Sequence, residues 1–273
     1  MRLKTNYWFP KVLLACLLAC ALAAPAHASK VVRVAFSNTL APVSFVENGQ
    51  VTGMLKEIIA ALFSMVPEYQ PEFHAYPWVR AQRMVEIGEM DMFVTFPSAS
   101  RRSYAQFSPH PIYSREYGNL VFDRDNPNAA RIAAARSFED LKALVFVSQE
   151  AVAWEDENVP AYIKRYPVNG PPALMHMIFQ RKQGDFFIMP EEQAVYFAHQ
   201  FGYEHRLSMK KVGFIPNSLV AFHVGVRKSH PERQKLLAAL DAAAQRPEFQ
   251  ARKRAIERKY QEYALAAGRA KTE

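Results

Sequence analysis

The chain predicts an α/β protein of two lobes, each a mostly parallel sheet flanked by helices. Three observations carry that prediction. From residue 31 onward, short apolar strands alternate with amphipathic helices, the pattern of parallel sheets covered by crossover helices. A polar segment with a proline, Asp123 to Ala130, marks a candidate boundary. One unit then recurs on either side of it: a helix, a Gly and an Asp, an apolar strand, and a proline. It occurs at Gly88, Asp91 and Pro97, and again at Gly184, Asp185 and Pro190. With 273 residues, half of them apolar or aromatic, the chain has material for a sizeable core and is not disordered in composition.

Val31 to Phe36 reads as the first core strand. A loop containing Pro42, then Phe45-Val46, leads to a turn at Glu47-Asn48-Gly49-Gln50. After Gly53, Leu55, Ile58, Ile59, Leu62 and Val66 recur at helical spacing, and Pro67 ends that helix. Glu72 to Tyr76 is a second strand, and Pro77-Trp78 opens a helix with Ala81, Met84 and Val85 inward. Gly88 closes it, because glycine accepts the left-handed conformation. Met92 to Phe96 is a buried strand broken at Pro97 by Ser98-Ala99-Ser100-Arg101-Arg102. This hydroxyl-rich turn can cap a helix, and arginines beside free N–H groups form an anion site.

Gly118 to Phe122 reads as a strand leading out, followed beyond the boundary by a helical turn at Phe138 to Leu141 and a strand at Leu144 to Val147. A helix from about Ala151, a short strand at Tyr166 to Val168, a helix from Pro172 and the strand Phe186 to Met189 complete the second unit. Val212 to Ile215 and Leu219 to Val226 are strand-like, and the second can cross back to the first lobe. From Pro231 the chain is helical, with Leu236, Leu237, Leu240, Phe249, Ile256 and Tyr260 on buried stripes.

Residues 1–28 read as a secretory signal: Arg2, Lys4 and Lys11, the apolar segment Val12 to Ala24, then Ala26-His27-Ala28. Lipid attachment at Cys16 or Cys20 is the alternative. Both cysteines fall in this segment, so the mature chain would hold no disulfide and no thiol site. Its charge would be near +5, 31 basic minus 26 acidic residues, with no basic and aromatic motif for nucleic acid. The histidines have no metal-ligand spacing, and no phosphate loop or nucleophile elbow occurs, so no metal or cofactor is expected.

The order and spacing of several short motifs resemble the family 3 extracellular solute-binding proteins, the periplasmic receptors of polar amino-acid ABC transporters. They are Pro42 to Phe45 (Pro-x-x-Phe), Gly53, Gly88 with Asp91, Ser98 with Arg101 (Ser-x-x-Arg), Phe107 to Tyr113 (Phe-Ser-x-x-Pro-x-Tyr), Asp140-Leu141 and Gly184-Asp185. The resemblance spans Val32 to about Tyr260. It implies a type II, venus-flytrap fold with residues 29–121 and 218–273 in lobe 1 and residues 122–217 inserted as lobe 2. The family's arginine pairs with the ligand carboxylate, and an aromatic at the place of Phe45 lines the apolar side. Two departures stand out. Pro190 replaces the second-lobe Asp that holds a ligand ammonium, with Glu191 one residue on. Gln149-Glu150-Ala151 replaces the family's Gly-Thr or Gly-Ser.

The candidate ligand residues are therefore Arg101, Ser98, Phe45, Trp78, Arg102, Phe96, Glu191 and Glu150. Ser-x-x-Arg spacing favours Arg101, and counting from Asp91 favours Arg102. Ser98 also reads as a helix cap, Trp78 as a core seal, and Glu191 as a solvated first-turn carboxylate. The functional expectation is a monomeric periplasmic receptor for a small carboxylate-bearing solute, serving an ABC permease or a membrane sensor. The alternative is a cyclohexadienyl-dehydratase-like enzyme using Glu150 or Glu191 as general acid. No membrane span or kinase segment follows Lys259 in the sequence, so a sensor role would need a separate partner.

Overall fold

The structure, a computed structural model, describes residues 29–150 and 152–267. The expected signal segment and both cysteines lie outside them. Strand β1 (Lys30–Ser37) buries Val32, Val34 and Phe36. A small antiparallel ribbon follows, β2 (Thr39–Leu40), β3 (Ser44–Glu47) and β4 (Gln50–Thr52). It turns at Asn48-Gly49, both at positive φ, as a two-residue hairpin requires. Gly53 (φ 113°) passes so close to β3 that a Cβ would lie 2.6 Å from the Val43 carbonyl oxygen. Helix α1 (Met54–Phe63), β5 (Tyr69–Tyr76), α2 (Trp78–Glu86) and β6 (Met92–Thr95) then build the first parallel layer.

Helix α3 (Ala99–Tyr104), β7 (Ala105–Phe107) and β8 (Tyr113–Glu116) follow. The late strand β14 (Leu219–Arg227) completes this sheet in the order β5-β1-β6-β14-β7, with β8 on the same edge of β14 as β7. Only β14 runs against the others. Gly225 lets the Phe93 and Phe107 rings close over β14, since a Cβ there would fall within 2.7 Å of both.

The second sheet uses β9 (Asn119–Asp123), β10 (Val145–Gln149), β11 (Lys164–Val168), β12 (Phe187–Ile188) and β13 (Leu207–Lys211). β10 pairs in parallel with β11, and a parallel bridge from Phe146 to Phe186 brings β12 alongside β10. β9 runs antiparallel to both β12 and β13. The order β11-β10-β12-β9-β13 thus repeats that of the first sheet, with the reversed strand again fourth. The main chain passes from the first sheet to the second between Glu116 and Asn119, and returns between Lys211 and Leu219.

The two Gly-and-Asp units occupy equivalent places in this repeat, each immediately before the third strand. Asp91 Oδ2 accepts the backbone N–H of Arg33 on β1 at 3.0 Å, and Asp185 Oδ2 accepts that of Val145 on β10 at 2.8 Å. The backbone N–H of each Asp in turn reaches the carbonyl of the same partner. Each carboxylate is a clasp between the first and third strands of its sheet.

One expectation is corrected, and one short helix was not foreseen. Helix α4 (Ala129–Ala134), in which only Ile132 is buried, begins at the end of the polar segment Asp123 to Ala130. One inward side chain leaves no periodicity to detect. The strand expected at Val212 to Ile215 lies one stretch earlier, as β13. It is a half-exposed edge strand with Lys210 and Lys211 outward, and edge strands lack a continuous apolar run. Val212 and Ile215 are buried in the returning loop instead. Helices α5 (Ala153–Asn158), α6 (Pro171–Met175, continuing as a π turn to Gln180), α7 (Glu191–Phe201) and α8 (Arg233–Ala244) complete the layers. Helix α9 (Pro247–Ala267) packs on both α1 and α7, touching elements of each lobe. None of the described helices is long and apolar enough to cross a membrane.

Candidate functional site

Between the lobes lies a cavity of about 370 Å³. Its first wall comes from the carboxyl ends of β1 and β6 (Phe36, Ser37, Thr95, Phe96), with Asn38, Trp78 and Arg101. Its second wall follows the carboxyl ends of β10 and β11: Gln149 and Glu150, then Asn169 to Pro172, with Trp154. Ligands of open α/β sheets bind at this end of the strands, where loops diverge and helices begin.

Arg101 reaches the cavity because β6 stops at Pro97 and α3 starts at once. Ser98 caps that start, its Oγ accepting the Arg101 N–H at 3.3 Å. The guanidinium is buried, its centre 4.5 Å from the Phe96 ring centroid and 5.4 Å from that of Trp78. Nε donates to Gln82 Oε1 at 2.9 Å and Nη1 to the Phe96 carbonyl at 3.1 Å. Among the described residues nothing accepts from Nη2, and no carboxylate lies within ion-pair distance. Burial pulls its pKa down to about 10, so it stays charged at neutral pH. A buried guanidinium without a counter-ion is costly unless a ligand provides one.

Four of the candidate side chains line this cavity: Arg101, Phe96, Trp78 and the exposed Glu150. Trp78 also seals the core, its ring stacking at 6.3 Å on the core residue Phe93. The other four lie elsewhere. Ser98 is the buried cap just described. Arg102 is exposed on the outer side of α3, its Nε on the Pro97 carbonyl and its guanidinium near the Phe107 ring. Consecutive helical residues point about 100° apart, so only one of the two arginines faces the cavity. Phe45 lies 6.2 Å from Tyr196 of α7, an aromatic contact across the lobes outside the cavity lining. Glu191 is exposed in a different groove, with Glu192, Tyr113 and Tyr260. Its place at the start of α7 leaves it outside the cavity lining.

The residues missed by sequence reasoning are Arg115, Tyr117, Trp154, Gln193 and Asn38. Arg115 alternates inward on β8 with Tyr113 and is almost fully buried. Its Nη1 donates to the Tyr117 hydroxyl at 2.8 Å and its Nη2 to Gln193 Oε1 at 2.7 Å, leaving Nε buried without an acceptor. The signal was there, as a charged residue on the inward phase of a strand. Gln193, from α7, also donates to the Ala41 carbonyl at 3.1 Å. The Trp154 ring lies 4.7 Å from that of Tyr117, tilted by 30°, and its Nε1–H donates to the Asn217 carbonyl. The Gln193 bonds to Arg115 and Ala41 and the Trp154–Tyr117 contact tie the second lobe to the first around the cavity.

Behind the second wall, the Glu155 side chain is buried and accepts the Gln149 N–H at 2.8 Å. Burial pushes its pKa up to about 8, the Gln149 bond and Arg165 only partly opposing it. The native state therefore holds this proton more tightly than the unfolded chain. Stability falls as pH rises from the ordinary 4.5 toward 8. Glu155→Gln, which keeps an acceptor for Gln149, is expected to gain roughly 2–4 kcal/mol at pH 8 and almost nothing near pH 4.5. Urea unfolding at both pH values measures this, and equal gains at both would refute it.

Residues 32–262 match the family model described as bacterial extracellular solute-binding proteins, family 3. The fold is similar to that of the substrate-binding protein of an amino acid ABC transporter, at TM-score 0.66 and 18% identity, covering 84% of this chain and 98% of that one. A histidine kinase sensor domain similar to periplasmic binding proteins matches at TM-score 0.69 and 16% identity, over 85% and 96%. An amino acid ABC transporter substrate-binding protein from Streptococcus pneumoniae, solved with L-arginine, matches at TM-score 0.66 and 19% identity, over 87% and 95%. At these identities the likeness is one of fold. No curated protein matches the sequence.

Proposed function

Because the chain belongs to the bacterial extracellular solute-binding proteins, family 3, we propose that it is a periplasmic receptor. It encloses a small carboxylate-bearing solute between its lobes and presents it to an ABC permease or a membrane sensor. Residues 29–121 with 218–267 form the lobe that holds Arg101, and residues 122–217 form the lobe that closes on it. The observation that supports this reading best is Arg101 itself, a buried guanidinium in the cavity wall with one terminal nitrogen unspent and no counter-ion among the described residues. A ligand carboxylate would supply both the charge and the acceptor.

Calorimetric titration with amino acids, keto and hydroxy acids, aromatic acids and dicarboxylates tests it. At least one carboxylate is expected to bind with Kd in the micromolar range or below, and its primary amide at least about tenfold more weakly. No binding by any carboxylate would sink the proposal. The titrated samples also address the enzyme reading, for which Glu150 is the acid on the cavity wall; turnover of prephenate or arogenate would revive it.

A further inference from the structure

The cavity carries an unusual charge balance. Arg101 and Arg115 both line it, both are buried, and neither has a carboxylate within ion-pair distance among the described residues. Tyr117 neighbours the two of them and accepts from Arg115. Against these two cations the lining offers one acid, the exposed Glu150. Three other carboxylates come near without facing the cavity. Glu157 is exposed on α5. Glu192 approaches Arg115 from the separate groove, which Arg115 also borders together with Glu116, Glu191 and Glu257. Glu155 is buried behind Gln149 and is protonated at neutral pH.

The rest of the lining is apolar or neutral. Phe36, Trp78, Phe96, Trp154 and Phe222 supply aromatic surface. Asn38 adds one neutral acceptor, its Oδ1 buried without a partner. An α-ammonium placed beside the Arg101-bound carboxylate would enter a site with the uncompensated Arg101 guanidinium, a second guanidinium whose acidic neighbours lie in the separate groove, and no buried anion. Like charges juxtaposed out of water are strongly disfavoured. A hydroxyl there would satisfy Asn38 without adding charge.

From this balance we infer that the ligand is a carboxylate lacking the α-ammonium, with an apolar or aromatic body and room for a hydroxyl beside the acid group. The inference rests on the receptor reading above and narrows it: the cleft discriminates against zwitterionic amino acids.

Matched skeletons test it. 3-Phenylpropionate, 3-phenyllactate and L-phenylalanine differ only at the second carbon, as do 4-methylpentanoate, 2-hydroxy-4-methylpentanoate and L-leucine. Calorimetry on the wild-type protein is expected to show the desamino or hydroxy acid of at least one skeleton binding about a hundredfold tighter than its amino acid. Asn38→Ala is expected to erase the preference for hydroxy over desamino acid while sparing the discrimination against ammonium. An amino acid binding as tightly as its desamino analogue overturns the inference and leaves the receptor reading standing. If none of the six binds, the inference is also overturned, and the broader carboxylate panel then decides the receptor reading separately.

Discussion

Arg101→Met is expected to lower carboxylate affinity by at least about a hundredfold while leaving the ligand-free protein as stable as wild type or more so. Removing one partner of a desolvated charge pair costs about 2–5 kcal/mol of binding, which sets the size of the loss. The stability half follows from the same burial seen from the other side. In the absence of ligand, Arg101 is a cation held between Trp78 and Phe96 with one carbonyl and one amide oxygen for company. Methionine fills the slot between the two rings without a charge to desolvate. Arg101→Lys is expected to fall in between for binding, because it keeps the charge and loses the two-pronged donor. Calorimetry with the tightest carboxylate and urea unfolding of the same samples measure the two halves. Undiminished affinity in Arg101→Met would remove Arg101 from the site, and collapse of the ligand-free fold would make it a structural residue.

The largest expected loss of stability comes from Asp91→Asn, about 3–5 kcal/mol. Asp91 is buried and takes bonds from the Arg33 N–H and Nε and from Arg227 Nη2, each at 3.0 Å. Burial alone would push its pKa up, but the Arg33 side chain, the Arg33 N–H and Arg227 outweigh that and hold it below the ordinary value. The stabilisation is therefore complete above the unfolded value of about 3.8 and is lost as pH falls through the depressed folded one. Asp185→Asn is the internal comparison. Its carboxylate makes the same strand clasp, with Asn128 rather than an arginine as its side-chain partner, so about 1–2 kcal/mol is expected. Urea unfolding at pH 7 measures both variants. Similar losses in the two would show that the clasp, and not the ion pair, carries the stability.

Much of this fold was legible because the buried strands are short continuous apolar runs and the covering helices are amphipathic. The repeat of Gly, Asp, strand and proline had a meaning that spacing alone could not supply: the acid is a clasp between strands. What was hidden falls into two kinds. Element α4 and strand β13 turn few side chains inward, so their windows look like loop and edge. The cleft partners Arg115, Gln193 and Trp154 act through contacts between residues 78 apart in one case and 63 in another, which no local pattern encodes. Local spacing pointed two ways, Ser-x-x-Arg to Arg101 and the count from Asp91 to Arg102, and the Ser98 cap with Arg101 facing the cavity separates them.

The place of β14 bears on how such a chain reaches its native state. Its residues 219–227 lie between β6 on one side and β7 and β8 on the other. A chain made from its N-terminus holds all of β9 to β13 before it holds the strand that joins the halves of its own first sheet. Until then β6 presents an unpaired edge, open to any passing strand. The pairing of residues 92–95 with 223–226 joins positions about 130 residues apart, and contacts so distant in sequence close slowly. The second lobe can thus assemble while the first waits, and a chaperone that shields strand edges would act chiefly on β6.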